Sequence, residues 1–287
     1  MSKNLLDLSG KIDNFTLEAF ETTAHIAKSQ GVPFFIVGAT ARDMILMHGY
    51  DIPTIRATRD IDFGVRVPDW DHYKKLREGL EATGKFTPTN EVQRLKFKER
   101  LIIDIIPFGP IAGRSDSLTW PPDHEIEMTT LGFEESYRHS LMVRLRSNPV
   151  LEIQFATLAG LALMKIISWH DKYPERASDA QDLALIMRTY IDAGNDERLF
   201  SEEADLVENE DFDYVCASAR LLGRDIAAIL SPHTKKAVPG ILDRETGEQT
   251  RYRLVEDMIR SSAAFSDDFE EILQLLEELK LGIQERL

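Results

Sequence analysis

The chain is 287 residues long, 43% hydrophobic and 29% charged. That balance suits a folded protein with a sizeable core, makes two domains the natural division, and excludes a disordered chain. The formal net charge of -15 and the single cysteine, Cys216, exclude a surface that is basic throughout and an internal disulfide.

The elements follow in chain order. Residues 16–30 have the spacing of an amphipathic helix stopped by Gly31 and Pro33. Residues 34–37, Phe-Phe-Ile-Val, read as a short buried strand, Gly38-Ala39-Thr40 as a turn, and 41–47 as a helix. Residues 49–58 carry the Gly, Pro and Asp of a loop. A strand over 60–67 alternates polar and apolar from Ile61, as one with a single covered face should. Asp69 is placed to cap a helix that runs to Thr83, with Gly84 after it. Residues 92–97 and 101–106 form two strands of a hairpin turning at Lys98-Glu99-Arg100. After a loop over 111–122, strands are expected at 125–128, 141–145 and 150–155.

Beyond Thr157 only helical spacing remains, over 158–172, 177–193, 212–229, 252–261 and 265–281. The expected fold is therefore α/β (α+β): a mixed-sheet domain over 1–157, then an all-helical domain over 158–287. The start, Met1-Ser2-Lys3-Asn4-Leu5, lacks the basic end and apolar run of a secretory signal, and Lys165 interrupts the longest apolar stretch. A soluble cytoplasmic protein without membrane contact is the expectation. Cys216, alone in an apolar-periodic stretch, reads as a small core residue rather than a nucleophile.

Cations concentrate at Lys74, Lys75, Arg77, Lys85, Arg94, Lys96, Lys98 and Arg100, whereas the acid excess lies later. An acidic chain that binds nucleic acid needs such a concentration; a solvated face is its commoner use.

Asp60 and Asp62 flank Ile61 on one strand, so the pleat sends both carboxylates to one face. Together they can hold one or two divalent cations with the hard oxygen ligands that magnesium prefers. Asp104 lies between Ile103 and Ile105, where an unpaired buried charge would cost on the order of 3 kcal/mol or more. A metal shared with the other two, or a position at a cleft, would remove that cost. Alone, Asp-Ile-Asp is equally the pattern of two solvated carboxylates. Upstream, however, lies Val37-Gly38-Ala39-Thr40-Ala41-Arg42-Asp43, whose glycine permits close backbone approach and whose helix start offers N–H groups to phosphate. Thr40 and Arg42 are suited to reach a triphosphate, or else to cap the turn and to pair with Asp43 or Asp60. Lys165 sits in an apolar helix and calls for a partner: Asp179 or Asp182, three apart on one helical face, or a nucleotide phosphate. A lysine snorkelling at the helix edge fits as well. His124, His139 and His170 have no metal-ligand spacing.

Gly38-Ala39-Thr40-Ala41-Arg42-Asp43 with Thr58-Arg59-Asp60-Ile61-Asp62-Phe63 resembles the first motif of the DNA polymerase beta-like nucleotidyltransferase superfamily. The likeness is to the AbiEii/AbiGii-type toxins, a group that includes the MenT-like toxins. Asp104 matches their later strand aspartate and Lys165 their helical lysine. Arg176-Ala177-Ser178-Asp179-Ala180-Gln181-Asp182-Leu183 matches their Arg-x-x-Asp-x-x-Asp-Leu helix start. The resemblance spans about 34–190, with four motifs in family order.

It implies catalytic residues Asp60, Asp62, Asp104 and Lys165, with two Mg2+ ions on Asp60, Asp62 and Asp104. Gly38, Ala39, Thr40, Arg42, Asp179 and Asp182 would bind the NTP, and Lys165 would stabilise the departing pyrophosphate. The implied reaction moves an NMP to a tRNA 3′ end or a protein hydroxyl, and the implied partner is a cognate antitoxin. Ala39 stands where the family usually has Gly or Ser, and Ser178 where many relatives have Lys; these bear on nucleotide affinity rather than on metal ligation. The Val-Gly-x-x-x-Arg-Asp turn is also similar to that of CCA-adding enzymes and bacterial poly(A) polymerases. An acidic chain suits an aminoglycoside-type nucleotidyltransferase too. Outside the enzymes, a catalytically inactive nucleotide- or partner-binding protein of the same fold is the remaining reading.

Overall fold

The structure, a computed structural model, describes residues 5–54, 60–208, 212–247, 251–259 and 268–287. Thr58 and Arg59, and one end of each helix expected over 252–261 and 265–281, lie outside the described residues. The chain forms two compact units, Met1–Met44 with Ala57–Thr157, and Ile45–Arg56 with Leu158–Leu287.

The first unit runs β1 (Leu5–Asp7), α1 (Asn14–Ser29), β2 (Phe34–Val37), α2 (Gly38–Asp43), β3 (Asp60–Arg66), α3 (Trp70–Ala82), β4 (Phe86–Pro88), β5 (Arg94–Phe97) and β6 (Leu101–Phe108). It continues with β7 (Ser117–Thr119), β8 (Glu127–Thr129), α4 (Phe133–Arg138), β9 (Leu141–Ser147) and β10 (Val150–Phe155). Eight strands make one mixed sheet in the order β1-β9-β10-β2-β3-β6-β5-β4, and β7 pairs with β8 separately. At its centre β3 is antiparallel to β2 and parallel to β6, and β6 is antiparallel to β5.

The alternation in β3 does what its pattern requires. Ile61, Phe63 and Val65 are buried, while Asp60 and Asp62 keep access to the other face. Phe20 of α1 packs its ring 5.8 Å from Phe63 and 6.2 Å from Phe155, closing one face with an aromatic cluster. α1 itself is started by Asp13, whose carboxylate accepts from the amides of Phe15 and Thr16. α3 is capped by Asp69, which accepts from His72 N at 2.9 Å, and buries Tyr73, Leu76 and Leu80 along one stripe.

Two expectations change here. Gly38-Ala39-Thr40 is the first turn of α2 rather than a separate turn, and at Met44 the helix widens into a π-helix over Met44–Gly49. The strands β1, β4 and β7, of three residues each, and the six-residue helix α4 had no counterpart: three residues carry no periodic signal, and α4 spans less than two helical turns.

The second unit holds α5 (Leu158–Asp171), α6 (Ala177–Thr189), α7 (Asp196–Leu199), α8 (Tyr214–Ile229), α9 (Thr234–Thr246), α10 (Arg253–Ile259) and α11 (Phe269–Glu285). α5 is apolar on nearly every side, with Leu161, Ala162, Leu163, Ile166 and Trp169 buried, as a central helix must be. Its indole is tied down by a 2.9 Å bond from Trp169 Nε1 to the buried carboxylate of Asp257. α8 and α11 approach so closely that a Cβ on Gly223 would lie 2.2 Å from Leu279 O, and one on Gly282 2.1 Å from Arg220 O. α9 was not expected because Pro239 stands inside it, and proline removes a helical hydrogen bond and clashes with the preceding turn. The segment Ile45–Arg56 joins this unit, with Tyr50 packed over Gly194. Among the described residues no helix is long and apolar enough to cross a membrane.

Candidate active site

Three neighbouring strands of the first unit deliver the site. In the sheet register Asp62 of β3 stands beside Asp104 of β6, and Asp104 stands opposite Arg94 of β5. Registered neighbours share a face, so the three side chains form a row, with Asp60 two residues before Asp62 on the same face. Asp60, Asp62 and Asp104 each offer a carboxylate oxygen, and these oxygens all lie within 4.8 Å of one another. Among the described residues this is the group of three or more ligating side chains with metal-binding spacing. Asp104 is 8% exposed, and Tyr73, donating to Ile105 O at 3.0 Å, pins the strand next to it. Burial pushes the Tyr73 phenol well above its ordinary range, so it stays a donor.

Three like charges this close repel by about 3 kcal/mol per pair at an effective dielectric of 20. Arg94 is a compensating cation among the described residues. Arg94 grips Asp104 two-pronged, Nε to Oδ1 and Nη2 to Oδ2 at 2.8 Å each, and its hydrogen bond to Asp104 holds the guanidinium charged. The clustered carboxylates, an all-oxygen donor set, fit a hard divalent cation.

Gly38 leaves room for this arrangement. Its φ of +68 is in the left-handed region, and a Cβ there would lie 1.9 Å from Asp62 Oδ2. Thr40, expected to face phosphate, is 7% exposed, and its hydroxyl donates to Asp60 O at 2.5 Å. A hydroxyl has one proton to donate, and in this structure Thr40 uses it on the start of β3. Arg42 is 1% exposed; its Nε and Nη2 reach Asp43 Oδ1 at 2.8 and 2.5 Å. Pairing with Asp43, one of the roles open to Arg42, is present in the structure. Ala39 is half-buried in the first turn of α2, whose N-cap, Val37, makes no side-chain capping bond.

In the second unit Lys165 of α5 donates to Asp179 Oδ1 and Asp182 Oδ2 of α6, both at 2.6 Å. It is therefore a doubly paired cation, its side chain 11% exposed, and not a snorkelling one. Burial works to lower its pKa, but the two carboxylates outweigh that and raise it, so the ammonium persists at neutral pH. Its three N–H donors leave one beyond these two bonds.

Arg94 is the residue of this site that sequence reading passed over as one cation in a basic run. Counting three pairs outward from Phe97 and Leu101 across the hairpin leads to Arg94 opposite Asp104, so the signal was present. The rest of that run is largely neutralised: Lys74 pairs with Glu78, Arg77 with Glu81, and Lys85 and Lys98 with Glu18.

A mixed sheet whose adjacent central strands carry an Asp-x-Asp pair and a third aspartate, beside a glycine turn, is the arrangement of a nucleotidyltransferase. The family profile described as nucleotidyl transferase AbiEii toxin, type IV toxin–antitoxin system, matches residues 26–275, and the chain belongs to that family. Curated protein sequences gave no match. Similar solved structures include the antibiotic-resistance factor ANT(2'')-Ia in solution, 12% identical, covering 69% of this chain and 97% of that one with a TM-score of 0.37. The lincomycin-bound lincosamide antibiotic adenylyltransferase LnuA is 16% identical, covering 60% of this chain and 96% of that one, TM-score 0.35. The Thermotoga maritima CCA-adding enzyme complexed with tRNA is 12% identical, covering 97% and 83%, TM-score 0.27. Likeness at this level leaves the acceptor to be argued from the residues.

Proposed function

We propose that the chain moves a nucleoside monophosphate from an NTP to a macromolecular hydroxyl in a divalent-metal-dependent reaction, as the toxin of a toxin–antitoxin pair. The observation that carries the metal part is the convergence of Asp60, Asp62 and Asp104 within 4.8 Å. Those three residues would hold two Mg2+ ions, which when bound neutralise phosphate charge and activate the acceptor hydroxyl. The protein's own part is positional. Gly38 leaves space beside Asp62, Thr40 fixes the backbone of Asp60, and the α2 amides with Ala39 face the nucleotide phosphates. Arg42 supports α2 through Asp43. Lys165 is held charged by Asp179 and Asp182, which supports the phosphate-directed role that the family motif implies for it.

The acceptor is a tRNA 3′ end or a protein hydroxyl, and a cognate antitoxin is the expected partner. The carboxylate partners of the basic run favour a second reading, an acceptor that is itself cationic, such as an aminoglycoside. Incubation with labelled NTPs, magnesium and either total RNA, lysate protein or aminoglycosides distinguishes these by which fraction becomes labelled. The doubly substituted Asp60→Ala, Asp62→Ala chain is expected to consume no NTP in any of them. Undiminished turnover in that variant would remove the reading. Metal-dependent NTP binding without labelling of any fraction would instead favour the inactive binding protein.

A further inference from the structure

Arg94 takes both oxygens of Asp104, the same oxygens that a shared metal would need. The contact is built in: β5 pairs with β6 so that the two residues face each other, and the amide of Ile105 donates to Gln93 O at 2.8 Å alongside. Arginine does not give up its charge in proteins, so this corner of the triad carries a permanent cation. A second partner is at hand. Arg94 Nη1 lies 3.3 Å from Oε1 of Glu91, an exposed carboxylate that is not one of the triad.

We infer that Arg94 is a positioning residue that holds Asp104 against Asp62 and keeps a free divalent cation from settling on Asp104 until nucleotide phosphates arrive. The inference rests on the triad being the metal centre. Without the guanidinium, Asp104 offers a divalent cation its full charge and both oxygens; with it, that charge is cancelled and both ligand positions are covered. An arriving NTP brings negative phosphate oxygens that restore the attraction. One arm of Arg94 then moves toward Glu91 and uncovers an oxygen of Asp104. The device makes metal occupancy at Asp104 depend on substrate, which keeps the site from being saturated by metal alone.

Mn2+ binding followed by electron paramagnetic resonance tests this without turnover, with and without a non-hydrolysable NTP analogue. Arg94→Gln is expected to bind Mn2+ about tenfold more tightly in the absence of nucleotide and to lose most of the gain that nucleotide gives the unaltered chain. Arg94→Lys keeps the charge but loses the two-pronged grip, and is expected to bind about threefold more tightly. It serves as the test should the glutamine variant fail to fold by circular dichroism. Unchanged or weaker Mn2+ binding in a folded Arg94 variant overturns the inference. Asp62→Asn separates the two levels. If it abolishes Mn2+ binding while the Arg94 variants behave like the unaltered chain, only the role of Arg94 falls. If it leaves Mn2+ binding intact, the metal centre and this inference fall together.

Discussion

At Gly38 a single methyl group is enough to displace the carboxylate of Asp62. The Cβ of Gly38→Ala would sit 1.9 Å from Asp62 Oδ2 on a backbone at φ +68, so the variant must strain its own backbone, by about 1–2 kcal/mol, and also move a ligand. NTP turnover is expected to fall about a hundredfold or more and Mn2+ affinity with it, as measured by labelled-NTP assay and metal titration. Ala39 gives the contrasting case. Ala39→Ser restores a hydroxyl of the kind the family carries and should lower the KM for the NTP while leaving Mn2+ affinity as it was. Cys216 is a third residue whose chemistry its surroundings set. Burial first, then the Asp213 carboxylate nearby, pushes its thiol up to about 12. Since the thiolate is the reactive form, alkylation at pH 8 should run roughly a thousandfold or more slower than for an ordinary thiol of pKa about 8.5. Rapid modification of the folded chain would contradict that environment.

Between elements, the pairs that matter are α5 with α6 and α8 with α11. Lys165→Met leaves Asp179 and Asp182 buried without their cation, and breaking such a pair costs about 3–5 kcal/mol. The Lys165 pKa is raised, so the stability it brings is complete below its ordinary 10.5 and is lost only as pH climbs through the higher folded value. The deficit of Lys165→Met in urea unfolding should therefore be flat from about pH 6 to pH 9. Adding Asp179→Asn and Asp182→Asn should recover part of it. Gly223→Ala and Gly282→Ala meet backbone rather than a side chain that could swing away, and each should cost about 1–3 kcal/mol by forcing α8 and α11 apart. Such element-level facts were unevenly legible in the sequence. Periodicity gave β3, β6 and most long helices, because each repeats one pattern over enough residues to be read, and the Lys98-Glu99-Arg100 turn gave β5 as the hairpin partner of β6. It gave Asp60, Asp62 and Asp104 as one constellation for the same reason. It did not give α9, whose Pro239 argues locally against what the surrounding unit stabilises, or the short strands at the sheet edges. Nor could residue type decide between the two uses of Thr40 and Arg42, since the same donors serve a phosphate or a neighbouring backbone and carboxylate. The contacts they make here come from the way α2 lies against the start of β3, which residue type does not encode.

For the whole chain, the question is which acceptor a molecule of net charge -15 can approach. An RNA must be met by cations that still attract phosphate. Within the basic run, Lys75, Lys96 and Arg100 are exposed and have no carboxylate partner among the described residues, Arg100 lying instead over the Phe15 ring at 4.8 Å. If all three met single-stranded phosphates, they would contribute about 2 to the slope of log affinity against log salt, at roughly 0.7 per phosphate. The expectation for tRNA is therefore weak binding with a shallow slope, and the Lys75→Ala, Lys96→Ala, Arg100→Ala chain should lower that slope by about 2. Filter binding from about 50 to 200 mM salt measures both quantities. A slope several times steeper, unmoved by the triple substitution, would mean that RNA is met on a different surface and that the paired cations of this run are structural. A shallow slope together with labelling of a cationic acceptor would turn the same charge distribution from an obstacle into the means of selection, because the field that repels phosphate draws an amine-bearing substrate toward the carboxylates.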